Sequence, residues 1–95
     1  MKLIHKVKIK NALGLHARPA TMIAKLLQPT KSTVSFTYKR ETINARSIMS
    51  ILMLAATKNT QIIITVEGED AESTLALLIE AFESHFGERV TRDEL

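Results

Sequence analysis

The chain has no cysteine and no tryptophan, and only two prolines and three glycines in 95 residues. Without thiols, neither a disulfide framework nor a thiolate metal site is available, and a reducing compartment is the simpler expectation. The aromatic set is Tyr38 and three phenylalanines, with no recognisable RNA- or DNA-reading motif. No apolar run approaches membrane-spanning length. Residues 1–15 are punctuated by lysines rather than built as a signal peptide, so neither secretion nor membrane association is expected, and the expected location is cytoplasmic. The last four residues, Arg92-Asp93-Glu94-Leu95, look like an endoplasmic-reticulum retention tail; without a signal peptide the match is read as coincidence.

Acids are scarce in the first two thirds of the chain. Residues 1–66 hold 11 Lys/Arg against the single acid Glu41, a balance of +10. Residues 67–95 hold nine acids against Arg89 and Arg92, a balance of −7. A basic body suits acidic partners, or nucleic acid, and it also describes a solvated surface beside a separate acidic helix. The length fits one domain, residues 1–95, with one core.

Residues 2–10 alternate, with Leu3, His5, Val7 and Ile9 on one side and lysines on the other, as in a strand with one wet face. The lysines would blunt a sheet edge. Ala20, Ile23, Ala24 and Leu27 recur at helical spacing and predict an amphipathic helix over 17–28, stopped by Pro29. Residues 33–38 alternate again and predict a second strand, followed by a turn at 39–41 and a short strand near 42–44. Ser47 precedes the apolar run 48–55, a short helix with a serine N-cap. Asn59 suits a left-handed turn. Residues 61–67 read as a central, β-branched strand. Asp70 is placed to cap a last helix whose stripe is Leu75, Leu78, Ile79, Phe82 and Phe86, with Gly87 able to end it. The order β-α-β-β-α-β-α predicts an α+β fold, a mostly antiparallel sheet with helices on one face.

The segment Gly14-Leu15-His16-Ala17-Arg18-Pro19-Ala20 carries the chemistry. Proline is favoured at the first helical position, so His16 is expected just ahead of a helix N-terminus, where backbone N–H groups and the positive dipole end gather an anion. Arg18 adds a planar, permanently charged fork that suits phosphate. An imidazole beside such a site reads as a phosphoryl carrier, because phosphoryl transfer asks for positioning and charge compensation. His5 reads as a half-buried packing residue, and His85 as a surface residue near a helix C-terminus. Three histidines so scattered predict no metal site. The apolar run 48–55 is either a docking surface, rimmed by Arg46 and Lys25, or a helix buried under another element. Phosphate on Ser47 would lie at a helix start and put charge beside that surface, weakening docking without unfolding the chain.

Two motifs give a resemblance. Gly14-Leu15-His16-Ala17-Arg18-Pro19-Ala20-Thr21 and Asn44-Ala45-Arg46-Ser47-Ile48-Met49 are similar to the active-site and serine-site signatures of the HPr family, the phosphocarriers of the bacterial sugar phosphotransferase system. The likeness spans roughly residues 4–87, leaving 88–95 as a polar tail. It implies an open-faced β-sandwich, a four-stranded antiparallel sheet covered on one face by three helices. It implies that His16 accepts a phosphoryl group through Nδ1 from phosphorylated enzyme I and passes it to IIA domains of sugar permeases. Ala17 and Arg18 would stabilise the phosphate, Ile48, Met49 and Leu52 would dock partners, and Ser47 would be the target of a dedicated serine kinase. No cofactor is implied beyond covalent phosphate, and the chain would be a co-substrate rather than a turnover enzyme.

The chain departs from the family pattern in three places. Leu13 stands where a polar side chain often contacts the phosphate, and that contact is lost unless Asn11 substitutes. Ala55 stands where glycine is usual, and Ser50 where some members carry lysine. Two other functions stay open on the sequence: a regulatory member that signals through His16 or Ser47 without feeding a permease, and a basic nucleic-acid-binding module.

Overall fold

The computed structural model describes residues 1–88. Seven main elements follow in chain order: β1 (Lys2–Lys8), α1 (Ala17–Leu27), β2 (Thr33–Tyr38), β3 (Glu41–Asn44), α2 (Ile48–Leu54), β4 (Gln61–Glu67) and α3 (Ala71–Glu83), closed by a 3₁₀ turn at His85–Gly87. The sheet order is β1-β4-β2-β3, and every pairing is antiparallel. The α+β, open-faced sandwich expected from the pattern and the resemblance is the observed fold.

The strand order follows from burial. Ile62, Ile64 and Val66 of β4 are fully buried and face the helices, so β4 takes a central place between β1 and β2. β1 lies at an edge, where its lysines discourage a further strand from pairing. Leu3 opposes Val66 and Val7 opposes Ile62, which sets the register and turns Lys6 and Lys8 to the open face. β2 and β3 are joined by Lys39-Arg40, with Lys39 at φ 57° supplying the left-handed residue that glycine usually supplies.

The core lies between sheet and helices. Ile23 and Leu27 of α1, Ile51 of α2 and Leu78 of α3 meet Phe36, Ile62 and Ile64. Phe36, Phe82 and Phe86 form an edge-to-face run with centroid spacings of 5.9 and 4.8 Å. Three of the four aromatics are therefore spent on the core.

Several local expectations change. Pro19 is the third helical residue, not the first, since α1 starts at Ala17; the third N–H also lacks an intrahelical partner, so proline costs nothing there. His5 is exposed instead of half-buried: it is on the helix side of β1, opposite Ile64, but a groove lined by Ile79, Phe82 and Glu83 opens between the edge strand and α3. Asp70 precedes α3 but does not cap it with its side chain. Its carboxylate turns to the α1–β2 loop and accepts from the N–H groups of Lys31 (2.8 Å) and Ser32 (2.9 Å) and from the Ser32 hydroxyl. α3 ends at Glu83 before Phe86, and His85 and Phe86 are both left-handed, so Phe86 is buried from a turn instead of from the helical stripe. Asn59 is left-handed as expected.

Candidate functional site

The loop 11–16 brings His16 to its position. Gly14 N–H donates to Asn11 O, and Leu15 N–H donates to Ala56 O just past α2. Gly14 has φ +65°, and a Cβ there would sit 2.2 Å from Ala56 O. Only glycine allows this close approach, which fixes the histidine loop against the end of α2. His16 then takes extended φ/ψ (−80°, −168°) as the N-cap residue of α1, and its carbonyl accepts from Ala20 N–H.

The His16 side chain does not cap the helix. Because Pro19 has no N–H and Ala20 N–H is bonded to His16, the first turn is left with the N–H groups of Ala17 and Arg18 without intrahelical partners. Both belong to the residues that directly follow His16, at the positive end of the helix dipole. The Arg18 side chain is exposed and has no hydrogen bond or ion pair among the described residues. Two free amides and an exposed guanidinium, on the two residues that follow a 29 %-exposed histidine, supply a set of anion donors.

Sequence reasoning places Glu88 in a polar tail and misses its role. Its Oε2 lies 2.8 Å from His16 Nε2, and its Oε1 accepts from Asn11 Nδ2 at 2.5 Å. Asn11, 3 % exposed, also donates to His85 O at 2.8 Å. Asn11 therefore does not stand in for a polar residue 13; it holds Glu88. Leu13 itself is 75 % exposed. No sequence signal marks this cluster, because Glu88 lies 72 positions from His16 and 77 from Asn11. Residues 89–95, including the retention-like tail, lie outside the described residues.

α2 is the neighbouring feature. Its end meets the histidine loop, through Leu15 N–H and Ala56 O, and its start meets the end of α1, through Arg46 and Leu27 O. Ile51 and Leu54 face the core, while Ile48, Met49, Leu52 and Met53 are exposed, together with Met22 of α1. Burial of this helix under another element is thus excluded among the described residues. The apolar pattern of 48–55 does not include Met22, which belongs to a different helix. Lys25, Arg46 and Ile48 border a groove between the helices. Arg46 also works inside the fold. Its guanidinium donates to the carbonyls of Leu27, Thr30 and Ser32 and to Thr30 Oγ1, closing the end of α1. What remains for a partner is its charge.

Ser47 is the N-cap of α2, and its Oγ accepts from Ser50 N–H at 3.2 Å. α2 ends at Leu54, where Ala55 takes the left-handed cap (φ 53°, ψ 36°) that glycine adopts without cost. Seven helical residues, about 10 Å of rise, separate Ser47 from the end that abuts the His16 loop. Among the described residues no three His, Asp or Glu side chains gather as metal ligands, and no helix is long and apolar enough to cross a membrane.

A small antiparallel open sandwich presenting a histidine at a helix start with open N–H groups fits the phosphocarrier class. Comparison with known proteins agrees. Residues 4–84 match the family described as the PTS HPr component phosphorylation site. The chain is 46 % identical over 80 residues to the phosphocarrier protein HPr of Chlamydia pneumoniae, covering 84 % of this chain and 74 % of that one. It is 35 % identical to HPr of Xylella fastidiosa, covering 90 % of this chain and 97 % of its relative. The crystal structure of HPr-C-His from Thermoanaerobacter tengcongensis superposes with a TM-score of 0.88 at 32 % identity, covering 93 % and 99 % of the two chains. The chain belongs to the HPr family of phosphocarriers of the phosphotransferase system.

Proposed function

We propose that this chain carries a phosphoryl group on His16 Nδ1, accepting it from phosphorylated enzyme I and handing it to IIA domains of sugar permeases in the cytoplasm. The observation that carries this reading is the contact of the imidazole with Glu88. Nε2 faces the acceptor-only carboxylate of Glu88, so Nδ1 is the ring nitrogen left open, on the residue that directly precedes the free N–H groups of Ala17 and Arg18. Those amides and the Arg18 guanidinium compensate the added charge, and no cofactor is needed.

Partners dock on Ile48, Met49 and Leu52, with Arg46 and Lys25 supplying positive charge at the rim. A serine kinase adds phosphate to Ser47, at the far end of α2 from the His16 loop. The added charge lies next to the apolar face, where it weakens docking. Incubation with enzyme I and phosphoenolpyruvate is expected to give one acid-labile phosphate per chain, absent in His16→Ala. Equal labelling of that variant would overturn the assignment.

A second reading, a regulatory member that binds a metabolic regulator instead of feeding a permease, is favoured by one observation: the cap residue Ser47 adjoins the exposed patch. Transfer of phosphate from the labelled chain to purified IIA domains separates the two.

A further inference from the structure

We infer that Glu88 is a positioning residue for phosphoryl transfer: it keeps the proton on His16 Nε2 throughout the cycle, and Asn11 holds it there. The inference rests on the phosphocarrier reading above and adds to it the residue that selects the reacting nitrogen.

The placement is built from several sides. Phe86 is 2 % exposed and packs edge-on to Phe82, anchoring the turn that follows α3. His85 and Phe86 are both left-handed, which swings the chain back toward the histidine loop. Asn11 spends its amide donors on His85 O and Glu88 Oε1. Both atoms are acceptors only, so the amide orientation is settled by its partners. Glu88 is thereby gripped by one oxygen and presents the other to the ring, 2.8 Å from Nε2. A carboxylate has no proton to give, so Nε2 carries the hydrogen, and in the neutral ring Nδ1 keeps its lone pair.

A negative group beside a phosphate acceptor is at first sight unfavourable. Its location on the opposite ring nitrogen removes the difficulty. In the accepting step the Nδ1 lone pair forms a bond to phosphorus, while the donor's bond to phosphorus breaks and its electron pair leaves with the donor. The His16 ring now has phosphorus on Nδ1 and the retained proton on Nε2, hence a positive charge, which the Glu88 carboxylate faces. In the delivering step the acceptor's lone pair bonds to phosphorus, the Nδ1–P bond breaks, and its pair returns to Nδ1. The Nε2 proton moves in neither step. This is the arrangement by which a carboxylate orients a catalytic imidazole and sets its tautomer.

The test uses the full chain with ¹⁵N-labelled histidine, without phosphate, and two variants. In the parent, the neutral His16 ring is expected to hold its proton on Nε2, with slowed exchange. Glu88→Gln is isosteric, but Asn11 Nδ2 claims its single amide oxygen and turns its NH₂ toward the ring. The proton is then displaced to Nδ1, and phosphoryl acceptance from enzyme I falls by about tenfold or more, the effect of losing a charge-assisted hydrogen bond. Glu88→Ala lets the tautomers relax toward those of free imidazole, with a smaller loss of rate. The same nitrogen spectrum and exchange in all three proteins would overturn the inference. The spectra decide the role of Glu88 even for a chain that takes no phosphate, so the two readings fail separately.

Discussion

The starts of α1 and α2 are built from the same elements and used in opposite ways. Each has a polar N-cap residue in extended conformation, followed by apolar helix. Ser47 turns its hydroxyl inward and accepts from Ser50 N–H, so α2 closes its own first turn. His16 turns away toward Glu88 and leaves the amides of Ala17 and Arg18 open. A satisfied helix start contributes stability; an unsatisfied one leaves N–H donors open to an anion. The cap is absent at the start proposed to hold phosphate and present where the helix is only seven residues long.

The contrast can be broken most severely at His16. His16→Ser should close α1 as Ser47 closes α2. Phosphate labelling by enzyme I and phosphoenolpyruvate is expected to vanish, while denaturant titration shows stability unchanged or raised by up to about 1 kcal/mol. Next comes the glycine that sets the loop against α2. Gly14→Ala combines a left-handed φ with a Cβ driven into Ala56 O, and is expected to cost about 2–3 kcal/mol in urea unfolding. It should also slow labelling, because the loop must move away from Ala56.

At the closed start, Ser47→Ala should lose about 1 kcal/mol by the same titration while His16 labelling persists. A comparable loss of labelling would mean that the two starts are not separable. At the other end of α2, Ala55→Gly removes the penalty of a left-handed alanine and is expected to add about 0.5–1 kcal/mol.

A third helix start supplies the smallest effect and a pH signature. Asp70 precedes α3 but spends its carboxylate on the α1–β2 loop. Its hydrogen bond from the Ser32 hydroxyl, then that from Lys31 N–H, hold its pKa below the ordinary carboxylate value. A group whose folded pKa is lowered stabilises the fold above its unfolded pKa and loses that contribution as pH falls through the folded value. Asp70→Asn should therefore melt below the parent at neutral pH, with the gap closing as pH falls below about 4. A gap that persists into acid would assign the effect to packing instead of charge.

The elements are legible where their signal is local. Alternation in 33–38, the β-branched run 61–67 and the Ser47 cap read correctly because period and capping act within a few residues. Reading fails where a partner lies elsewhere. The closeness of Asp70 to its nearest helix suggests a cap, but the hydrogen bonds of Ser32 and Lys31, nearly forty positions earlier, claim the carboxylate. His5 follows the apolar face of β1 in sequence, but a groove opens there between the edge strand and α3 and leaves it exposed. The exposed face of α2 is ambiguous in sequence, since an all-apolar helix is compatible with either burial or docking.

By itself the sequence determined the element order, the helix start at His16 with its arginine, and the cap at Ser47, because each depends on neighbours along the chain. The tertiary structure alone decided what surrounds the imidazole. Glu88 and Asn11 meet only after β1, β4 and α3 pack and Phe86 anchors the turn beyond α3. Hydrogen bonds between residues more than seventy positions apart have no period or motif. They follow from burial geometry, which exists only once the core has formed.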